Sequence, residues 1–312
     1  MANRLPTTLL EAIDYFSDPD RALAFMVSLR WPTGEPTCPR CGSLEHSFLS
    51  TRTLWKCKDC KRQFSVKVGT IFEDSPIGFD KWLPAIWLIA NSKNSISSCE
   101  VARALGVTQK TAWFMLHRIR LAMEARSFAK LSGTVEVDET FVGGQAKFMH
   151  SRIRKQRLTG RGGADKPAIQ GAVQRGGPVK AEVIDGDLDG PRLQGNVRRW
   201  VATGSAVYTD EARAYWGLDR FYGHKSVRHA VEYVSGDVHT NTLENFWSLL
   251  KRAIKGTQIH VDEIHLDRYV AERAFAYNYR KESDLERMRV ALAGANGRRL
   301  TYAGLKAGTG VR

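Results

Sequence analysis

Three acids and a lysine, spread over more than a hundred residues, are the side chains of this sequence best suited to chemistry. Asp138 closes the stretch "TVEVD", Asp210 closes "SAVYTD", and Glu244 lies in "HTNTLENFWSLLKR", seven positions before Lys251. In that last stretch Leu243, Phe246, Trp247 and Leu250 recur at i, i+3, i+4, i+7, which predicts a helix with one face on a core. Asn241, Glu244, Ser248 and Lys251 form a second stripe on the same helix. Acids delivered by separate strands and one helix suit phosphoryl transfer on nucleic acid. There, three carboxylates hold two Mg²⁺ or Mn²⁺ ions about 3.5–4 Å apart, one ion activating a water or 3′-hydroxyl and the other stabilising the leaving oxygen. Oxygen ligands and an open shell select these ions over zinc.

Each acid also has a plainer reading. A strand-ending Asp is often a helix cap, Asp210 in particular, and Asn241 followed by Glu244 fits a capping box. Asp185 follows the strand-like "KAEVI" but sits in "DGDLDG", which reads as a turn. Lys251 tips the balance toward chemistry, because it sets a cation beside Glu244 where a phosphate would lie.

A second set of residues points to a different metal. Cys38, Cys41, Cys57 and Cys60 form Cys-x2-Cys-x15-Cys-x2-Cys. This spacing reads as a closed four-sulfur zinc site with a structural role, free thiols or a redox pair being the alternatives. Cys99 lies outside the pattern and reads as a buried small residue. Lys56, Lys58, Lys61 and Arg62 crowd the second pair, as phosphate contacts or as a solvated face.

The elements that must carry these residues follow from patterning. Residues 6–30 read as one or two short helices with "SDPD" as the cap between them, and 36–72 as short strands around the cysteines. Residues 79–126 read as helical. In "SISSCEVARALGVTQKTAWFMLHRIRLAM" Ser97 or Ser98 caps a first helix, Gly106 breaks it, and Thr108 caps a second. The second helix buries Ala112, Met115, Leu116 and Ile119. It offers Gln109, Lys110, Arg118 and Arg120 to a DNA groove and its phosphates, a structural helical hairpin being the alternative. Residues 133–235 alternate as strands, interrupted by a basic, Gly-rich loop at 147–166, and 239–280 return to helix. The helix from 262 is expected to bury Ile264, Tyr269, Val270 and Phe275. The tail 303–312 reads as disordered.

Net charge agrees with a polyanionic partner. Forty-seven Lys and Arg against 33 Asp and Glu give +14, a balance that favours nucleic acid through phosphate neutralisation. No apolar run approaches the length of a membrane span, and no signal peptide is evident, so a cytoplasmic protein without a membrane partner is expected.

"VDETFVGG", "VYTDEARAY" and "HTNTLENFWSLLKRAIKG" resemble the catalytic segments of a bacterial insertion-sequence transposase family. Its members carry a zinc ribbon ahead of a DDE-type, RNase H-like domain. "CPRCGS…WKCKDCKRQFS", "TIFEDSP" and "KWLPAIWLIANSKNSISSCEVARALGVTQKTAWFMLHRIR" resemble the same family in the same order, over roughly residues 15–280. The resemblance implies metal-dependent hydrolysis at transposon ends and transfer of the freed 3′-OH into target DNA. It makes Asp138 the first acid and Asp210 the second. The third is Glu244, with 33 residues between it and Asp210, and Asn241 is a further metal or substrate ligand. The fold class expected is α/β: an RNase H-like mixed sheet flanked by helices, preceded by a zinc ribbon and a helix-turn-helix-like region. The expected divisions are 1–75, 76–127, 128–285 for the catalytic domain, and a tail at 286–312. Cofactors are structural Zn²⁺ and two catalytic Mg²⁺ or Mn²⁺ ions; the partner is double-stranded DNA, at transposon ends and target. Joining two ends in one event implies a homo-oligomer in the active complex. Two rivals remain: a non-catalytic DNA-binding regulator, and a nuclease or resolvase on the same fold.

Overall fold

The computed structural model describes residues 4–124, 129–143, 166–210, 213–227 and 238–308. The basic loop expected at 147–166 lies outside them, Lys166 excepted. In chain order, α1 (Leu9–Ser17) and α2 (Pro19–Arg30) precede three short strands, β1 (His46–Leu49), β2 (Leu54–Cys57) and β3 (Gln63–Phe64). Helices α3 (Phe79–Asn91), α4 (Ser98–Leu105) and α5 (Gln109–Met123) follow, then strands β4 (Thr134–Phe141), β5 (Ala168–Gln174) and β6 (Val179–Ile184). Next come α6 (Gly190–Trp200), β7 (Ala206–Asp210), β8 (Gly223–Val227), α7 (Asn241–Arg252) and α8 (Leu266–Asn278). The chain returns through α9 (Asp284–Ala293) and α10 (Tyr302–Lys306).

These elements form two compact units. One joins Met1–Ala125 to Lys281–Arg312; the other is Arg126–Arg280. The division differs from the four segments expected, because the C-terminal stretch folds back into the first unit instead of trailing as a tail. Met288, Ala291, Leu292, Leu300 and Leu305 are all buried. At Gly294 a Cβ would stand 1.9 Å from the Ala122 carbonyl oxygen, so this approach of backbones requires glycine. Sequence patterning misses the element because its apolar residues are few and interleaved with Gly and Arg.

Within the first unit, α3 is apolar nearly all round, burying Trp82, Leu83, Ile86, Trp87 and Ile89, and α1, α2 and α9 pack on it. The α4–α5 hairpin has the caps its sequence predicts. Ser97 and Glu100 form a capping box, Gly106 takes the left-handed conformation at φ +61°, and Thr108 accepts from the Thr111 amide.

The second unit is built on a five-stranded sheet ordered β6-β5-β4-β7-β8. Strands β4, β5 and β6 are antiparallel neighbours, while β4, β7 and β8 run parallel. One face carries α6 over Val135, Val137, Ala172 and Val207; the other carries α7 and α8 over Ile169, Val173 and Val179. This is the helix-flanked mixed sheet expected. The register of α8 is later than expected: Asp262 caps a 3-10 turn at Glu263–His265, so the helix starts at Leu266. Ile264 is consequently 49% exposed, whereas Tyr269, Val270 and Phe275 are buried as anticipated. Among the described residues no helix is long and apolar enough to cross a membrane.

Candidate active site and metal centre

Alternation along β4 sorts its side chains between the two faces. Val135 and Val137 point to α6, and therefore Glu136 and Asp138 point to α7. Glu136 pairs with Tyr208 across the parallel β4–β7 ladder. Asp138 and Asp210 each lie two positions beyond that rung, on the same face of adjacent strands, where strands run about 4.8 Å apart. The third acid comes from α7. Asp138, Glu139, Thr140, Glu244, Trp247, Ser248 and Lys251 line one open cleft of about 490 Å³. The stripe read from the sequence therefore faces this cleft through Glu244, Ser248 and Lys251. Asn241, the first residue of α7, is exposed and is not among the residues lining it.

Burial pushes the Asp138 carboxyl up to about 6, the charges of Asp210 and Glu244 adding to the rise. A hydrogen bond from the Trp247 indole Nε1 to Asp138 Oδ2, at 3.0 Å, works against that shift and fixes the carboxylate's orientation. Room for the indole comes from Gly171, which pairs with Asp138 in the β4–β5 register; a Cβ there would meet Trp247 Cη2 at 2.6 Å. Burial, followed by the charges of Asp138 and Asp210, raises Glu139 to about 9, and the Tyr215 hydroxyl donates to it. Lys251 is held below the ordinary lysine range by burial and Lys255, while Asp138 pulls it back up. Asp185 is exposed in the turn after β6, away from these groups in sequence and in the cleft's lining.

The capping-box alternative for the opening of α7 is not what forms. The N-cap residue is Thr240, without a side-chain cap bond, and Thr240 Oγ1 donates instead to Glu244 Oε1 at 3.3 Å. The helix amides are met by Glu136, a residue that reasoning from sequence passed over although its period-two offset from Asp138 marks it as sharing that face. Trp247 was read there as core alone; it is core, 4% exposed, and also the donor to Asp138.

The cysteine box folds as its spacing predicts. Tight turns, Gly42 N to Cys38 O and Cys57 N to Arg62 O at 2.9 Å each, aim the thiols inward. Cys38 and Cys60 sulfurs lie 3.7 Å apart, Cys41 and Cys57 3.6 Å, and all four sulfurs lie within 4.8 Å of one another. A zinc tetrahedron with Zn–S of about 2.3 Å has edges of about 3.8 Å, so the four thiols fit zinc. Trp55 stacks on Phe64, and Trp31 meets Trp55 edge-on, supplying the small core under the site. Cys99, expected to be buried, is exposed. The three carboxylates do not meet the tightness of the thiols as a set; a pair of ions about 3.5–4 Å apart is gripped by a wider ring of oxygens.

The DNA-facing residues expected on α5 divide in two. Gln109 and Lys110 are exposed at the helix start, Gln109 Nε2 donating to Ser98 Oγ at 2.8 Å and Lys110 lying over the Tyr302 ring. Arg118 and Arg120 are buried, 5% and 0% exposed, which corrects their expected role as groove donors. Arg118 Nε donates to the Leu300 carbonyl at 3.1 Å, and its guanidinium stacks on Phe114. The returning C-terminal segment covers this side of α5, and that cover is invisible in the helix's own periodicity.

Comparison with known proteins adds the family. Residues 17–63, which hold all four cysteines, match a transposase zinc-ribbon domain. Residues 130–278, which hold Asp138, Asp210, Glu244 and Lys251, match the ISXO2-like transposase domain. A protein of Halobacterium salinarum described as an uncharacterized protein in transposable element ISH50 is 30% identical over 252 residues, spanning 77% of this chain and 84% of that one. With both domains matched in order and a relative aligned over most of its length, the chain belongs to the ISXO2-like transposase family.

Proposed function

We propose that the second unit is a divalent-metal-dependent centre that cleaves DNA at transposon ends and joins the freed strand to target DNA. The observation that carries this reading is the gathering of Asp138, Glu244 and Lys251 on one cleft, with Asp210 electrostatically coupled to Asp138. Asp138, Asp210 and Glu244 would hold two Mg²⁺ or Mn²⁺ ions, which activate the attacking oxygen and stabilise the departing one. Trp247 keeps Asp138 oriented, and Lys251 meets a non-bridging phosphate oxygen, offsetting the repulsion between DNA and the acids. In the first step water attacks a phosphodiester and its bond to the 3′ oxygen breaks, leaving a 3′-hydroxyl and a 5′-phosphate. In the second, that hydroxyl attacks a target phosphodiester: a new P–O bond forms as the old one to a target 3′ oxygen breaks. Duplex DNA is held by the zinc ribbon and the amino end of α5 through Gln109 and Lys110, and two protomers pair two ends. Asn241, at the mouth of α7, contacts substrate rather than metal.

The test is a Mg²⁺-dependent assay with the zinc-loaded full-length protein, a labelled duplex carrying the element's own terminal sequence, and a plasmid target. Cleaved and joined products are expected. Asp138→Asn, Asp210→Asn and Glu244→Gln should each lose both while retaining duplex binding. Cleavage without joined product would reassign the centre as a nuclease. Unaltered products in the three variants would remove the chemistry from these acids, and duplex binding with no cleaved product from the parent protein would reduce it to a DNA-binding regulator.

A further inference from the structure

The carboxylate of Glu136 is fully buried in the sheet, yet its contacts belong to another element. It accepts from the Thr242 amide at 2.8 Å, the Leu243 amide at 3.1 Å and the Thr242 hydroxyl at 2.9 Å, all in the first turn of α7. Arg175 Nε donates to it at 2.7 Å, and His239 Nδ1 lies 3.4 Å away. Arg175 also donates through Nη2 to the His239 carbonyl at 3.1 Å, and its guanidinium lies over the ring of Tyr208, the residue paired with Glu136. The strand that carries Asp138 and the amino end of the helix that carries Glu244 are thus tied at one carboxylate, and Arg175 links that carboxylate to the strand that carries Asp210.

A helix that needs only a cap takes one from its own flank. In this chain Thr8, Asp18, Ser97, Thr108, Asp189, Ser283 and Thr301 do so with their side chains. The helices α3 and α8 have no side-chain cap bond, whereas α7 satisfies its amides with a charge taken out of water, an expensive arrangement unless it fixes something that a local cap cannot. What it fixes is the offset between β4 and α7. Glu244 is two residues past Thr242, about 3 Å along the helix axis, so a shift of the helix start passes directly to that acid.

We propose that Glu136 is a positioning residue that sets where Glu244 and Lys251 stand relative to Asp138. This rests on the catalytic reading of those three residues given above. The residue touches neither substrate nor metal; it acts through the first turn of α7.

The test compares Glu136→Gln, Glu136→Asp and Thr242→Val in the zinc-loaded full-length protein, well below their unfolding temperatures. In Glu136→Gln an amide NH₂ replaces one acceptor oxygen and must face either the helix amides or the Arg175 guanidinium. Mn²⁺ titrated against the DNA-free protein, with free ion read by electron paramagnetic resonance, should show affinity weakened about 10- to 100-fold, and single-turnover cleavage slowed to a similar degree. Duplex affinity and zinc content should be unchanged. Glu136→Asp should recover part of both losses, and Thr242→Val should show the same pair of effects in milder form. A cap that merely stabilises would lower the unfolding temperature and leave Mn²⁺ affinity and cleavage intact in the folded protein, which overturns the proposal. Should Glu136→Gln not fold, Thr242→Val decides: wild-type Mn²⁺ affinity and cleavage there overturn it equally. Asp138→Asn run in parallel separates the two levels. Retained cleavage in that variant overturns the catalytic reading and this one together, whereas its loss beside a wild-type Glu136→Gln overturns this one alone.

Discussion

Gly171 offers a steric test of how Asp138 is held. Its φ lies outside the left-handed region, so alanine at this central strand position meets no backbone strain, and on propensity alone it would gain about 0.5–1 kcal/mol. The space is already taken. An added Cβ would stand 2.6 Å from Trp247 Cη2, 2.8 Å from Cζ2 and 3.2 Å from Leu243 Cδ1. Carbon contacts settle at about 3.5–4.0 Å, so the indole must retreat by roughly 1 Å. It is wedged against Phe246, ring centroids 5.2 Å apart, within a buried cluster. Gly171→Ala should therefore cost about 1–3 kcal/mol in overpacking, lowering the unfolding midpoint of this unit by about 2–4 °C for each kcal/mol. The same retreat carries Nε1 out of reach of Asp138 Oδ2, and single-turnover cleavage should fall with it. Trp247→Phe lacks both clashing ring atoms, so the double variant should be more stable than the two single losses predict by at least about 1 kcal/mol. Calorimetric unfolding of the four proteins completes the cycle. Additivity within about 0.5 kcal/mol, or a Gly171→Ala protein with the parental midpoint, would refute the reasoning.

The titration of Asp138 has a sign opposite to that of a paired carboxylate. Its folded value of about 6 lies above the ordinary 3.8, so this group favours the folded state at low pH, and that contribution, about 3 kcal/mol, is lost as pH rises from near 4 through 6. Metal requires the deprotonated form, so Mg²⁺ should raise the midpoint at pH 7.5 and much less at pH 5; equal shifts at both would contradict it. Chelation, or Cys57→Ser, should release zinc and unfold the ribbon while leaving the unfolding transition of the second unit in place, as calorimetry with metal analysis would show. Lys110→Ala should reduce the salt dependence of duplex binding by about one unit of slope. Arg118→Ala should leave that slope alone and lower the first unit's unfolding midpoint, the reverse outcome returning Arg118 to the DNA surface.

Residues whose role is set by local spacing were legible in the sequence. The Cys-x2-Cys pairs, the Ser97 and Gly106 ends of α4, and the Glu244–Ser248–Lys251 stripe each depend on neighbours within a few turns. Roles set by distant chain were not. Arg118 carries the same periodicity whether it faces solvent or lies under Leu300, and only the returning segment decides between them. Glu136 is one more polar residue in an alternating strand until α7, more than a hundred positions later, lays two amides on it. Asp138 and Asp210 lie between these cases. Asp138 was recognisable in an alternating strand and Asp210 at a strand's end, but their level placement depends on the β4–β7 register, a parallel pairing that no local pattern announces.

The first unit is assembled from both flanks of the second, and this imposes an order on synthesis. A ribosome will have finished the whole sheet before it emits Leu300, Leu305 and the arginine that reaches the Leu121 carbonyl. Until then α5 has no lid over Arg118. A nascent or prematurely stopped chain ending near 280 would therefore carry the complete sheet unit while the first unit still lacked Leu300 and Leu305 from its core, and that unit's folding would wait on the residues after 280.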